Sequence, residues 1–476
     1  MQPEPSEATA LPASFLAGVI EGFYGPPWTH SERLELFDWM AQWGLNTYLY
    51  APKDDLKHRA CWRECYSKLE VENLRQVIQA CRQRNIHFVF ALSPGLTIRY
   101  GNEGELDFLK TRFCQVQALG GHHFALLFDD IPDSLEGTDQ TRFDSLAAAQ
   151  CEVANHLFSW TRDREPSARF LFCPTAYCSR MCKRQLGGKD YLTTIGMRLM
   201  PEIDVCWTGP EIISREIAVA HVQELQAVLR RKPIIWDNLF ANDYDGRRFF
   251  CGPYAGRPPE LRDWVNGLLL NPNNEFPLNY VPLRTFGWYV HSQGTWDARA
   301  AYLGAMAEWS RQFVTASVPV TSEDLVLLGD CYYLPHAEGP EAEKLYQQAR
   351  TLLASDPVGW GQDALAFRRQ AGRLREICAR MTDLRHRPLF HALSRRLWEL
   401  REEMDLLERV VGQGISGGPW RSDFHLPGTY RGGLAVRLQR LLDAQPEGTF
   451  VPRADISQDS PGGGRSEDGG IRTRLK

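Results

Sequence analysis

The chain has 476 residues, 43% hydrophobic and 24% charged, which is enough for a sizeable core and for more than one domain-sized unit. A formal net charge of -5 excludes a general basic footprint for nucleic acid, and the short basic clusters Arg230-Arg231-Lys232, Arg247-Arg248 and Arg395-Arg396 read as solvated faces. No run approaches the roughly 18 apolar residues of a membrane span.

Residues 1–13 form an N-terminal segment with neither a basic n-region nor an apolar h-region, so no signal peptide is expected there. From residue 14 to 295 short apolar runs alternate with longer amphipathic stretches. The runs cover 15–23, 47–53, 87–95, 123–131, 169–177, 203–209, 232–240 and 267–273. Several are continuous in Val, Ile, Leu and Phe, as parallel strands buried on both faces require. Helix-like segments such as 71–84 and 215–230 lie between them. Eight strands separated by helices predict an α/β fold, a (β/α)8 TIM-type barrel, ahead of an open doubly wound sheet.

Beyond this barrel, residues 296–414 read as an α-helical bundle domain, with helices over 297–313, 340–353 and 363–381. Leu389, Leu393, Leu397, Leu400, Met404, Leu407 and Val411 recur every three or four residues and make one apolar helical stripe. Such a stripe packs within its own chain or against a second copy, so a homodimer through the helical domain is one expected arrangement. Residues 415–476 accumulate Gly, Pro and Ser and are expected to be a largely disordered C-terminal tail, most clearly over 457–476.

Twelve cysteines in so long a chain make no small disulfide framework. Cys173 and Cys206 sit inside apolar runs, where a reduced thiol is the usual occupant. Cys61/Cys65 and Cys178/Cys182 are spaced by four but lack the further partners of a zinc site, so neither a metal nor a cofactor is expected. These thiols point to a soluble protein of the cytoplasm, with the nucleus as a second setting.

In such a barrel, functional groups gather where strands end. The ends here carry Glu21-Gly22-Phe23-Tyr24, Lys53-Asp54-Asp55, Ser93-Pro94-Gly95, Asp129-Asp130, Tyr177, Thr208-Gly209, Trp236-Asp237-Asn238 and Asn271-Pro272-Asn273. Carboxylates, amides and aromatic rings converging on one mouth suit a sugar, and other small polar ligands as well. Asp129 and Asp130 terminate an otherwise apolar strand. Two adjacent acids at a crowded mouth favour one ionised and one protonated partner, the division that glycosidic bond cleavage uses.

The motifs Glu21-Gly22-Phe23-Tyr24-Gly25, Tyr50-Ala51-Pro52-Lys53-Asp54-Asp55, Leu127-Phe128-Asp129-Asp130-Ile131 and Trp236-Asp237-Asn238 resemble the signatures of the protein O-GlcNAcases, glycoside hydrolase family 84. The resemblance is dense over about 15–290 and looser beyond, where Tyr332-Tyr333-Leu334-Pro335 is similar to a segment of the family's helical stalk. It implies a retaining, substrate-assisted β-N-acetylglucosaminidase working through an oxazoline. Asp129 then orients the acetamido group, and Asp130 is the acid and base. Gly22, Lys53, Asp243 and Asn271 are implied as binding the sugar hydroxyls, Tyr177, Trp236 and Asn238 as neighbours of the acetamido group, and Tyr24 and Asp237 as further substrate-binding residues. Ala176 departs from the family pattern, in which relatives can carry an acid, so recognition outside the sugar pocket is expected to differ. The implied partners are O-GlcNAc-modified proteins or simple β-N-acetylglucosaminides, with no nucleic acid and no membrane. Two alternatives stand beside this reading: an endo-acting hyaluronidase, which needs a long open groove, and a catalytically silent sugar-binding protein.

Overall fold

The computed structural model describes residues 12, 14–416, 433–444, 450–454 and 456. The eight apolar runs form β1 (Leu16–Glu21), β2 (Thr47–Tyr50), β3 (His87–Leu92), β4 (His123–Leu127), β5 (Phe170–Cys173), β6 (Asp204–Trp207), β7 (Ile234–Asp237) and β8 (Gly267–Leu270). They pair in chain order, all parallel, and β8 returns to β1 with Leu16 opposite Gly267, so the sheet closes as the (β/α)8 barrel expected.

Alternation along each strand separates two apolar layers. Ile20, Leu49, Ala91, Leu127, Leu171, Ile234 and Leu269 share a cluster that contains strand and loop residues only, the filling of the barrel. Their neighbours in sequence, among them Val19, Tyr48, Phe90, Phe124, Phe172 and Ile235, pack instead with helix residues such as Phe37, Leu74 and Phe113. The outer helices start where their sequences say: Thr29 with Glu32, and Ser67 with Glu70, each close a reciprocal capping box.

A second core belongs to the helices Ala298–Trp309, Ser322–Asp330, Pro340–Leu353, Gly361–Arg380 and Arg387–Ser416. Leu389, Leu393, Leu397, Leu400, Met404, Leu407 and Val411 are all buried in it. The stripe is therefore consumed within the chain and presents no face to a second copy. This core also takes in Phe249, Cys251, Leu278 and Val281 from the barrel's last loops and helix. The backbone of Tyr332 and Tyr333 accepts from Cys251 and Gly252 at 2.9 and 2.7 Å, and Arg396 pairs with Glu275 at 2.6 Å. The helical part thus braces the loops that follow β7 and β8.

Within the segment expected as a tail, Gly433–Gln439 is a helix and Leu442–Ala444 pairs antiparallel with Phe450–Pro452. Leu434, Leu438, Leu441, Phe450 and Ile456 join the helical core, so apolar residues spaced among Gly and Pro order this piece. The disorder expected over 457–476 lies outside the described residues, as do all of 1–13 save Pro12. Among the described residues no helix is long and apolar enough to cross a membrane.

Candidate active site

The inward-facing row of each strand continues past its last ladder pair into the mouth. Gly22 follows Ile20, Lys53 follows Leu49 and Ala51, and Asp129 follows Ala125 and Leu127. Tyr177 follows Leu171 and Cys173, while Trp236 and Asn238 follow Ile234, and Asn271 follows Leu269. Two-residue alternation carries the strand part of each row inward, and the turns at Lys53 and Asp129 and the bends before Tyr177 bring these groups to one point.

At its centre the Lys53 ammonium donates to Asp129 Oδ2 at 2.6 Å, with the two side chains 2% and 10% exposed. Burial acts to raise the Asp129 pKa, but Lys53 and then Arg59 overcome it and hold the carboxyl below its ordinary range. Asp129 Oδ1 is buried and takes no hydrogen bond from the protein. Asp129 is thus an ionised acceptor with one oxygen held and the other free for an N–H or O–H.

Asp130 would point outward by alternation. It stands instead in the left-handed region at φ 52°, a conformation that costs non-glycine residues roughly 1–2 kcal/mol. This turn brings its exposed carboxylate between two phenols: Tyr177 donates to Oδ1 at 2.9 Å and Tyr24 to Oδ2 at 3.0 Å. Burial first, and the charge of Asp130 second, raise both tyrosines well above their usual range, so each stays protonated and donates.

The remaining wall is built on Trp236. Its indole N–H donates to Asn238 Oδ1 at 3.0 Å, and Asn271 Nδ2 donates to the same oxygen at 2.9 Å. Asn271 Oδ1 is buried without a partner in the protein. Lys53 Nζ lies 5.9 Å from the centre of the indole. A Cβ at Gly22 would come within 2.7 Å of Trp236 Cζ2, so only glycine lets the indole lie flat against that strand end. On the far side Asp243 Oδ2 accepts the backbone N–H of Tyr24 at 3.0 Å, and burial raises the Asp243 pKa.

A family model described as beta-N-acetylglucosaminidase matches residues 17–322. The chain belongs to that family. Two curated relatives, the protein O-GlcNAcases of Rattus norvegicus and Mus musculus, are each 48% identical over 276 residues, 58% of this chain and 30% of theirs. The chain thus spans less than a third of the length of those relatives. A solved mutant O-GlcNAc hydrolase from Thermobaculum terrenum, 30% identical, superposes with a TM-score of 0.74 over 84% of each chain. The resemblance read from the four motifs is borne out, as is the barrel.

Within this β-N-acetylglucosaminidase-family mouth, one residue expected to contact the sugar is turned away. Asp237 follows Ile235 on the outer row and is 1% exposed. Its Oδ2 accepts from Tyr254 and from Arg257 Nε at 2.8 and 2.7 Å, and its Oδ1 from Arg257 Nη2 and the Leu239 N–H at 2.7 and 3.1 Å. The other Arg257 donors reach the carbonyls of Ser214, Arg215 and Ala255. All five N–H donors of the arginine are used, and Asp237 has no lone pair left for a ligand. It anchors the strand end and does not line the pocket.

Two residues of the β2–β3 connection were not singled out from the sequence. Arg59 donates to the carbonyls of Asp130 and Asp129 at 2.7 and 3.3 Å and to Ser93 Oγ at 3.1 Å. His58 is buried, its Nδ1 2.8 Å from the Ala91 carbonyl; burial, then Lys53, lowers its pKa to about 3. The ring is therefore neutral, with the proton on Nδ1, because a carbonyl only accepts. The motif Lys53-Asp54-Asp55 was the only signal pointing to this loop.

Asp237→Asn leaves Arg257 buried and under-neutralised, and is expected to lower the unfolding free energy by about 3–5 kcal/mol. Urea denaturation checks this; a change within about 0.5 kcal/mol, the surface-substitution range, contradicts the anchoring role.

Proposed function

We propose that the protein is a retaining exo-β-N-acetylglucosaminidase that removes O-linked N-acetylglucosamine from Ser and Thr of proteins, with substrate assistance. The observation that carries this reading is the unequal pair of acids. Asp129 is buried and held ionised by Lys53 with Oδ1 free, and Asp130 is exposed at the mouth between two phenols. The names of the rat and mouse relatives support the protein-linked substrate.

In this mechanism the acetamido oxygen of the sugar attacks C1 while the bond from C1 to the leaving oxygen breaks. Asp130 gives that oxygen its proton. Asp129 Oδ1 accepts the acetamido N–H, which orients the oxygen and offsets the positive charge that develops on the ring nitrogen of the oxazoline. Water then opens the oxazoline at C1 and yields its proton to Asp130, and two inversions give net retention. Carrying the nucleophile within the substrate makes the attack intramolecular, which in favourable cases lowers a barrier by about 7–11 kcal/mol. A wall of buried Trp236 and Asn271 with half-buried Asp243 opposite supports removal of a terminal sugar over the open groove of an endo-acting hyaluronidase. We assign the barrel, 14–295, to the chemistry and the helical part, 296–414, to bracing the loops after β7 and β8. The twelve cysteines, all free, support a cytoplasmic or nuclear setting.

Two measurements test the assignment. Across aryl β-N-acetylglucosaminides, Asp130→Asn is expected to lose kcat/KM most where the phenol has a high pKa, by about 10²–10⁴-fold, and least where it leaves unaided. Asp129→Asn is expected to lose activity with little dependence on the leaving group, because it disturbs the nucleophile. Reversed slopes would exchange the two roles. Lys53→Met removes the main influence that lowers the Asp129 pKa and leaves burial opposed chiefly by Arg59. The acidic limb of its kcat/KM profile is therefore expected to move to higher pH; an unmoved limb would dissociate Lys53 from the ionisation of Asp129.

A further inference from the structure

Arg59 is a buried guanidinium in contact with both acids of the site, yet it touches only their backbone. Its own position is fixed beforehand. The Ser93 N–H donates to the His58 carbonyl at 2.9 Å and His58 Nδ1 to the Ala91 carbonyl at 2.8 Å, so residue 58 is tied along the end of β3. From there the guanidinium passes Ser93 Oγ at 3.1 Å and reaches the turn after β4, lying 5.9 Å from the centre of the Tyr24 ring.

We infer that Arg59 is a positioning residue that sets the backbone conformation of Asp130, and through it the aim of the acid. The Asp129 carbonyl belongs to the peptide plane before the Asp130 Cα, and the Asp130 carbonyl to the plane after it. The rotation between those planes is the φ/ψ pair of residue 130. One planar fork donates to both oxygens, at 3.3 Å from Nη1 and 2.7 Å from Nη2, and so holds both planes at once. The conformation held is the left-handed one at φ 52°, which a non-glycine residue keeps only where its surroundings over-determine it. Without the fork the segment relaxes toward the extended conformation, and the carboxylate swings from Tyr24 and Tyr177. A lysine carries charge at the same place but has no rigid fork, which separates an effect of geometry from one of charge.

This inference rests on the reading of Asp130 as the general acid. The test measures kcat/KM of Arg59→Met and Arg59→Lys in the parent protein and in the Asp130→Asn background. Aryl β-N-acetylglucosaminides of high and low phenol pKa serve as substrates, and circular dichroism checks that each variant is folded. In the parent, both substitutions are expected to cost roughly 10- to 100-fold with the high-pKa phenol and less with the low-pKa phenol. In the Asp130→Asn background Arg59→Lys, which keeps the positive charge facing Asp129, is expected to cost no more than about twofold further, since the group being aimed no longer carries a proton to give. Arg59→Met also removes that charge from Asp129 and retains a further loss. If Arg59→Met does not fold, Arg59→Lys carries the same comparison. For Arg59→Lys, an undiminished loss in the Asp130→Asn background or a loss independent of leaving group overturns the inference, and so does full activity in either variant. If Asp130→Asn itself spares the high-pKa phenol, the general-acid reading fails instead, whatever the Arg59 variants do.

Discussion

Lys53 and Asp129 meet at 2.6 Å in the barrel mouth with their side chains almost wholly withdrawn from water. Two charges so placed are costly to desolvate, and a well-packed apolar pair of similar volume would often be at least as stable. What the ion pair supplies is a carboxylate held ionised against the upward pull of burial on its pKa. One oxygen is neutralised by the ammonium and the other is left to accept from a ligand. The neutral His58 close by adds no competing positive charge. An apolar substitute would fill the space but could not orient a donor.

Around that pair the mouth follows from one rule of strand geometry and one exception. Alternation carries Gly22, Lys53, Asp129, Tyr177, Trp236 and Asn271 inward as extensions of the barrel's filling. The same alternation turns Asp237 outward to Arg257, where it holds the β7 end in place. Asp130 is the exception, since only its left-handed turn returns it to the mouth. The two acids, adjacent in sequence, thereby reach unlike surroundings: one buried beside an ammonium, the other exposed between phenols. The helical part contributes at a distance, through Tyr332, Tyr333 and Arg396, by fixing the loops from which Asp243 and Asn271 project.

The barrel was legible because buried parallel strands leave continuous apolar runs, and all eight runs became strands. Their far ends extend past the paired residues, where Lys53 and Asn271 each keep one backbone hydrogen bond, to the carbonyls of Phe23 and Asp237, and the ladder then stops. Most pocket groups could be placed from strand ends and motifs together. The motif groups Asp237 with Trp236 and Asn238, and only the strand alternation, which the motif does not carry, sets it on the opposite side from them. Arg59 and His58 lie in a loop without periodicity, where nothing local shows that a guanidinium will reach a strand some seventy residues on. The helix Ser322–Asp330 is only nine residues long and shows little apolar period, although its opening Thr321 and Asp324 form a capping box visible in the sequence. The packed piece around Leu434 and Phe450 was masked by the Gly- and Pro-rich composition about it.

The most direct measurement concerns where the nucleophile resides. Aryl β-N-acetylglucosaminides carrying mono-, di- and trifluoroacetamido groups have progressively weaker amide nucleophiles on an otherwise similar sugar. If Asp129 orients the substrate's own acetamido oxygen for attack, kcat/KM must fall steadily and steeply along the series. A flat series would place the nucleophile on the protein and contradict the division of labour between Asp129 and Asp130.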